Sequence, residues 1–252
     1  MGTLQPGGRS LGVAGGGLDN ASWAANGSAA RVGQAGERRT ANILDSAVSR
    51  RGRATVLHDL AIPGSRANVD LVVVVGRTVW VIDTKVWAPG FYWRVGESAY
   101  RGSERFEPAE KRTTSVAVTR LRSYLERRGV AATFARPTVV VWPSSARGRL
   151  SLALLRRVGD SPVVGGDAFR WAVRSMTSTR GLLCRQKTAD PELVTALSEL
   201  LLAAASSRAS TTGHMQVSVV TGASGFVDAP APFVQLESDP FGDSGDDGSV
   251  EC

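Results

Sequence analysis

The chain has 252 residues, with 30 Lys and Arg against 23 Asp and Glu, a net charge of +7. That length supports a substantial core, and two cysteines exclude a disulfide-stapled scaffold and point to a reducing, cytoplasmic setting. The charge is uneven: from Gly213 onward there are seven acids and no Lys or Arg, so the first 212 residues carry +14. A body that basic suits a polyanionic partner such as nucleic acid, although 27 of its 30 cations being arginine also fits a general preference for that residue.

Residues 1–30 are rich in Gly, Ser, Asn and Ala without periodicity, and are expected to be disordered. No signal peptide is evident there, and no stretch has the length of a membrane span. From about Gln34 to Arg50, Ala35, Ile43, Leu44, Ala47 and Val48 predict a helix with one buried stripe. "ATVLHDLAIP" reads as a strand ending at Pro63, and residues 69–75 and 78–85 as a hairpin. "FYWRV" and "SAYRG" read as shorter, more exposed strands. Glu110 to Arg128 is expected to be a helix burying Val116, Leu121 and Leu125 and stopping at Gly129. "PTVVVWP" is a short buried strand, "SPVVGGDAFRWAVRSM" a strand, turn and helix, and Pro191 to about Ala205 a last amphipathic helix. The fold class is therefore α/β, a mixed central sheet flanked by helices in one domain over 31–205, followed by an acidic tail over 206–252. That tail would act as a spacer or shield the basic body.

The hairpin carries the chemistry. Gly76-Arg77, with Gly first, suits a two-residue type II′ turn. Val75 then faces Thr78, and Asp70 faces Asp83 with Cβ atoms roughly 4.5–5.5 Å apart. Lys85, two residues on, shares the face of Asp83. The intervening residues are almost wholly apolar, so both faces are expected to be covered. Opposed carboxylates at a buried strand end repel each other, and three arrangements relieve them. One acid is protonated; or Arg66 or Arg94 pairs with them; or a divalent cation with a taste for oxygen ligands, magnesium or manganese, sits between them. A plain ion pair between Lys85 and Asp83 is the structural alternative. Likewise, Glu37 taken alone reads as an exposed first-turn acid favoured by the helix dipole.

An Asp, an apolar strand, a turn, an apolar strand and Asp-x-Lys together resemble the PD-(D/E)xK nuclease signature. More narrowly, "GQAGERR", "VLHDLAIPGSRANVDLVVV", "WVIDTKVWAPG" and "EPAEKRTTSVAVTRLRSYL", in that order, resemble the nuclease-related domain family, NERD. The resemblance implies a restriction-endonuclease-like fold and a Mg²⁺- or Mn²⁺-dependent nuclease acting on DNA. It implies that Asp70, Asp83 and Glu37 hold the metal and that Lys85 positions water or the scissile phosphate. Asp83 stands where many relatives have Glu, and Lys111 where many have Gln after an Asn-Pro pair. Lys111 and Arg112 would contact the nucleic-acid backbone. Lysine is scarce here, and two of the three, Lys85 and Lys111, fall at motif positions. The alternative is an inactive module of the same fold that binds nucleic acid or protein.

"VVTGASGF" at 219–226 lacks room for a dinucleotide-binding unit. With only His58 and His214, a zinc site or a Ser-His-Asp system has too few histidines, and His58 is expected to be a structural strand residue.

Overall fold

The hairpin forms in the expected register. In the computed structural model, which describes residues 9–15, 27–51, 53–65, 67–177 and 188–201, β3 (Asn68–Val75) and β4 (Thr78–Trp87) pair antiparallel from Val75–Thr78 to Leu71–Ile82. Gly76 has φ +58 and Arg77 does not share the left-handed region, as a type II′ turn requires.

This hairpin is the centre of a mixed sheet. β2 (Thr55–Ala61) pairs antiparallel with β3, and β1 (Arg9–Leu11) runs parallel to β2 on its outer side. On the other side β9 (Thr138–Pro143) runs parallel to β4, β12 (Ser161–Gly165) parallel to β9, and β11 (Arg157–Val158) closes the edge antiparallel to β12. A two-residue strand, β8 (Thr133–Phe134), adds to the start of β4. A second, four-stranded sheet has the order β10 (Leu150–Leu154), β5 (Gly90–Val95), β6 (Ser98–Arg101) and β7 (Glu104–Arg105). The strand at Arg9–Leu11 corrects the expectation that residues 1–30 lack regular structure throughout. Three residues without alternation give no strand signal, and what holds them is pairing with the edge of β2.

Helices cover both faces of the main sheet. α1 (Gly27–Arg51) packs Ala41, Leu44 and Val48 against Val73, Ile82 and Val140, joined by Phe169, Val173 and Met176 of α3 (Gly166–Thr177). On the opposite face α2 (Thr113–Arg127) and α4 (Pro191–Ser198) bury Leu121, Leu125, Leu193 and Leu197 against Val72, Val74, Val79 and Val81. Each fully buried leucine contributes about 1.5–3 kcal/mol. Val116 is exposed, contrary to expectation: the buried stripe of α2 runs through Ala117, Val118, Leu121 and Leu125, one position round the helix. Gly129 ends α2 as expected. Its φ is +70, its N–H donates to the Glu126 carbonyl, and the Val130 N–H donates to the Leu125 carbonyl, a Schellman pattern. α4 begins at Asp190, whose carboxylate accepts the Leu193 N–H and also pairs with Arg77 at the tip of the hairpin.

Among the described residues no helix is long and apolar enough to cross a membrane. The acidic tail, His214, Cys184 and Lys187 lie outside the described residues.

Candidate nuclease-like site

The acids gather where β3 leaves β4. Regular pairing stops at Leu71–Ile82, one step short of Asp70 and Asp83. The next bond across the gap comes from a side chain: the Thr84 N–H donates to Asp70 Oδ2 at 2.6 Å. Asp70 thus takes over a backbone donor that the departing strand has left. β4 itself stays straight because its other edge is paired with β9 from Ile82 to Trp87. Asp83 and Lys85 are therefore held on a rigid strand, and Asp70 at the point of divergence.

Thr84, the middle residue of the Asp-x-Lys run, points the other way and ties the site to α1. Its hydroxyl donates to Thr40 Oγ1 at 3.1 Å, the Trp142 indole N–H donates to the same oxygen at 2.9 Å, and Thr40 donates to the Gly36 carbonyl at 3.2 Å. Thr40 is fully buried, and one donated and two accepted bonds use its hydroxyl completely. This knot fixes the turn of α1 that carries Glu37. Gly36 permits the close approach, since a Cβ there would lie 2.3 Å from Val86 Cγ2. Thr40→Val keeps the shape but strands the Trp142 N–H and the Thr84 hydroxyl. The expected loss is about 1–3 kcal/mol, read as a lower urea midpoint with an unchanged slope.

Glu37 is not the first-turn acid of its bland reading. α1 begins at Gly27 and has no acid in its first turn, which puts Glu37 in the third. It is half-buried, and its pKa is pushed up to about 7 by burial first, then by Asp59 and Asp83, against the opposing pull of Lys85. Asp70 lies well above the usual carboxylate range, through burial first, then the charges of Asp83 and Glu37; Lys85 and the Thr84 N–H only partly offset this. Burial pulls the Lys85 ammonium down, but Asp83, Asp70 and Glu37 outweigh it and hold it above its ordinary value. One ammonium is thus shared electrostatically among three acids.

Lys85 Nζ lies 2.8 Å from Asp83 Oδ1. The structural alternative, an ion pair at the strand end, is therefore present, but it uses one oxygen only: Asp83 Oδ2 is buried with no hydrogen-bond partner. Of the two arginines weighed as partners for the acids, Arg94 is engaged elsewhere. Arg94 bonds to Gly96, Glu97, Ala109 and Arg157, and Arg66 lies outside the described residues.

The positions after β7 divide. Glu110 pairs with Arg105 and accepts the Ala99 N–H; led by the Arg105 bonds, these hold its pKa down to about 2. It anchors the small sheet. Lys111 is exposed just before α2, and Arg112 lies 3.6 Å from both Glu97 and Asp160. The structure therefore brings Glu37, Asp70, Asp83 and Lys85 into one electrostatic cluster, whereas the ion pairs of Arg112 are with the loops of the smaller sheet and with the β11–β12 turn.

A second constellation has the residue types of a catalytic triad without its geometry. Ser10 and Asp45 both meet His58 Nε2, at 3.0 and 3.1 Å, while Nδ1 is buried without a partner. A relay needs the serine and the aspartate on opposite ring nitrogens. The cluster pins β1 and β2 to α1, as befits a structural histidine.

The donor chemistry fits a hard divalent cation: carboxylate oxygens only, one of them buried and unpartnered, with mutual repulsion that a cation would relieve. As they stand, no three His, Cys, Asp or Glu side chains among the described residues form a group able to hold a metal ion.

A mixed sheet flanked by helices carries acids at diverging strand ends and a lysine two residues beyond the second. The family model "Nuclease-related domain", NERD, matches residues 32–142, so that span is similar to a NERD domain. The match contains Glu37, Asp70, Asp83, Lys85, Lys111 and Arg112. Comparison with the curated proteins and with the solved structures finds no match in either.

Proposed function

We propose that this protein is a metal-dependent phosphodiesterase acting on nucleic acid, with DNA as its substrate. The observation that carries the reading is the crowding of Glu37, Asp70 and Asp83 around Lys85 at the parting of β3 and β4, with Asp83 Oδ2 left unpartnered. Buried acids facing each other cost stability, and such costs collect at functional sites.

Asp70, Asp83 and Glu37 would hold Mg²⁺ or Mn²⁺. Such an ion, when bound, supplies positive charge that offsets the charge developing on a phosphodiester. Lys85 would place its ammonium beside the phosphate and orient the attacking water; its raised pKa keeps it charged for that task. Thr84 holds Asp70 by its N–H and α1 by its hydroxyl, so it sets the spacing of the acids from both sides. Lys111, exposed before α2, would contact the strand as a point charge, with Arg112 beside it. The reading is tested by incubating the full chain with single- and double-stranded DNA, with Mg²⁺ or Mn²⁺ and then with chelator. Cleavage that needs the cation supports it, and none with either cation overturns it.

A second reading, a binding module without catalysis, draws on the Lys85–Asp83 ion pair and on the lack of a preformed metal-holding group among the described residues. It is the reading selected by salt-dependent DNA binding without cleavage or cation uptake.

A further inference from the structure

The row of acids extends one strand beyond the predicted pair. In the β2–β3 register Thr55 faces Val74 and Ala61 faces Asn68, so Asp59 falls opposite Asp70. The pair is skipped: the ladder passes from His58–Leu71 to Leu60–Val69. Asp59 has φ +58 and is the one non-glycine residue with positive φ among the described residues. Aspartate adopts that conformation at some cost, and strain of this kind concentrates at working sites.

The break redirects side chains. Leu57 and Leu60 enter the same cluster although three residues apart, and so do Val69 and Val72. Strict alternation would send the members of each pair to opposite faces. Each strand is one residue out of step with strict alternation at the level of Asp59 and Asp70, while the pairing register is the same on either side.

Asp59 is only 2 % exposed. Its Oδ1 accepts a hydrogen bond from the Asn68 amide, while its Oδ2 is buried with no partner. Across the skipped ladder position it stands opposite Asp70, whose Oδ2 accepts the Thr84 N–H.

We propose that Asp59 is a further cation-facing carboxylate of this centre, its unpartnered Oδ2 acting as a ligand for a divalent cation beside Asp70. The inference rests on the metal-dependent reading above and adds to it a residue outside the Asp, Asp-x-Lys pattern. A purely structural aspartate would need only the Oδ1 bond to Asn68. The second oxygen, buried and unpaired, is what a hard cation satisfies.

Calorimetric titration of the full chain with Mn²⁺ alone tests this, comparing wild type, Asp59→Asn and Asp83→Asn. Asparagine keeps an acceptor for Asn68 and tolerates the left-handed backbone, so the metal-free melting temperature should hold. Asp59→Gly, which relaxes that backbone, serves as a second variant. The expected result is a loss of one bound equivalent, or a fall in Mn²⁺ affinity of at least about tenfold, in both Asp59 variants. Wild-type uptake in both, with uptake lost in Asp83→Asn, overturns the role of Asp59 and leaves the site of Glu37, Asp70 and Asp83 standing. No uptake by the wild type overturns both.

Discussion

Lys85→Ala is expected to lower metal-dependent DNA cleavage by about 10²–10³-fold, the usual effect of removing one preorganised charge from a developing anion. Lys85 is well placed for this role. It sits on a strand paired on its far side with β9, so its base cannot drift, while its tip is held only by a 2.8 Å contact to Asp83 Oδ1. Its ammonium is kept charged by three acids. Lys85→Arg should not restore the rate, because a planar fork cannot replace a compact point charge beside Asp83. Asp83→Ala should lower cleavage at least as far, through loss of its unpartnered Oδ2. Removing Lys85 also strips the acids of their shared cation, so the metal-free variant should melt earlier, and rates must be compared below its transition. Cleavage at the wild-type rate by both alanine variants would remove the catalytic reading.

Gly36→Ala is expected to destabilise the protein by about 1–3 kcal/mol, the usual cost of overpacking, and to weaken cation uptake with it. A new Cβ would lie 2.3 Å from Val86 Cγ2, with Thr84 and Trp142 atoms just behind. Val86 has no flexible chain to fold away, so α1 itself must lift from β4. Lifting it stretches the Thr40 bonds to Thr84 and Trp142 and carries Glu37 from Asp59 and Asp83. A chemical-denaturation midpoint unchanged from wild type would show that the contact between α1 and β4 is looser than described.

The hairpin was legible because three signals agree on it: apolar runs, a Gly-first turn, and carboxylates only at the ends. The register follows from the turn alone, while the expected Asp70–Asp83 pair lies one step beyond the point where regular pairing stops. Glu37 was legible as a candidate site residue through family resemblance and not through its own chemistry. Its burial depends on where α1 starts, and the residues before Gln34 carry no helical pattern strong enough to extend it back to Gly27. Thr84 was hidden between the two residues that carry the motif, since a threonine in a strand needs no explanation.

Asp59 was hidden for a different reason. "VLHDLAIP" reads as an ordinary strand, and a break in alternation is a backbone event that side-chain pattern reports poorly. The one clue was a carboxylate in the middle of an apolar run, the same oddity that drew attention to Asp70. Trp171 is 69 % exposed with Arg174 over its ring, because Phe169, Val173 and Met176 already fill the buried face of α3. β10 escaped notice because its pairing with β5 leaves Leu154 exposed, so no buried stripe marks it.

The central claim is that the acids at the parting of β3 and β4 are a cation site and not a salt-bridged strand end. A crystal of the full chain soaked in manganese tests it, read by anomalous scattering. The account predicts a peak within coordination distance of Asp70 and Asp83, with Lys85 Nζ drawn off Asp83 Oδ1. An absence of any peak at saturating manganese, with the Lys85–Asp83 pair still closed, would contradict it.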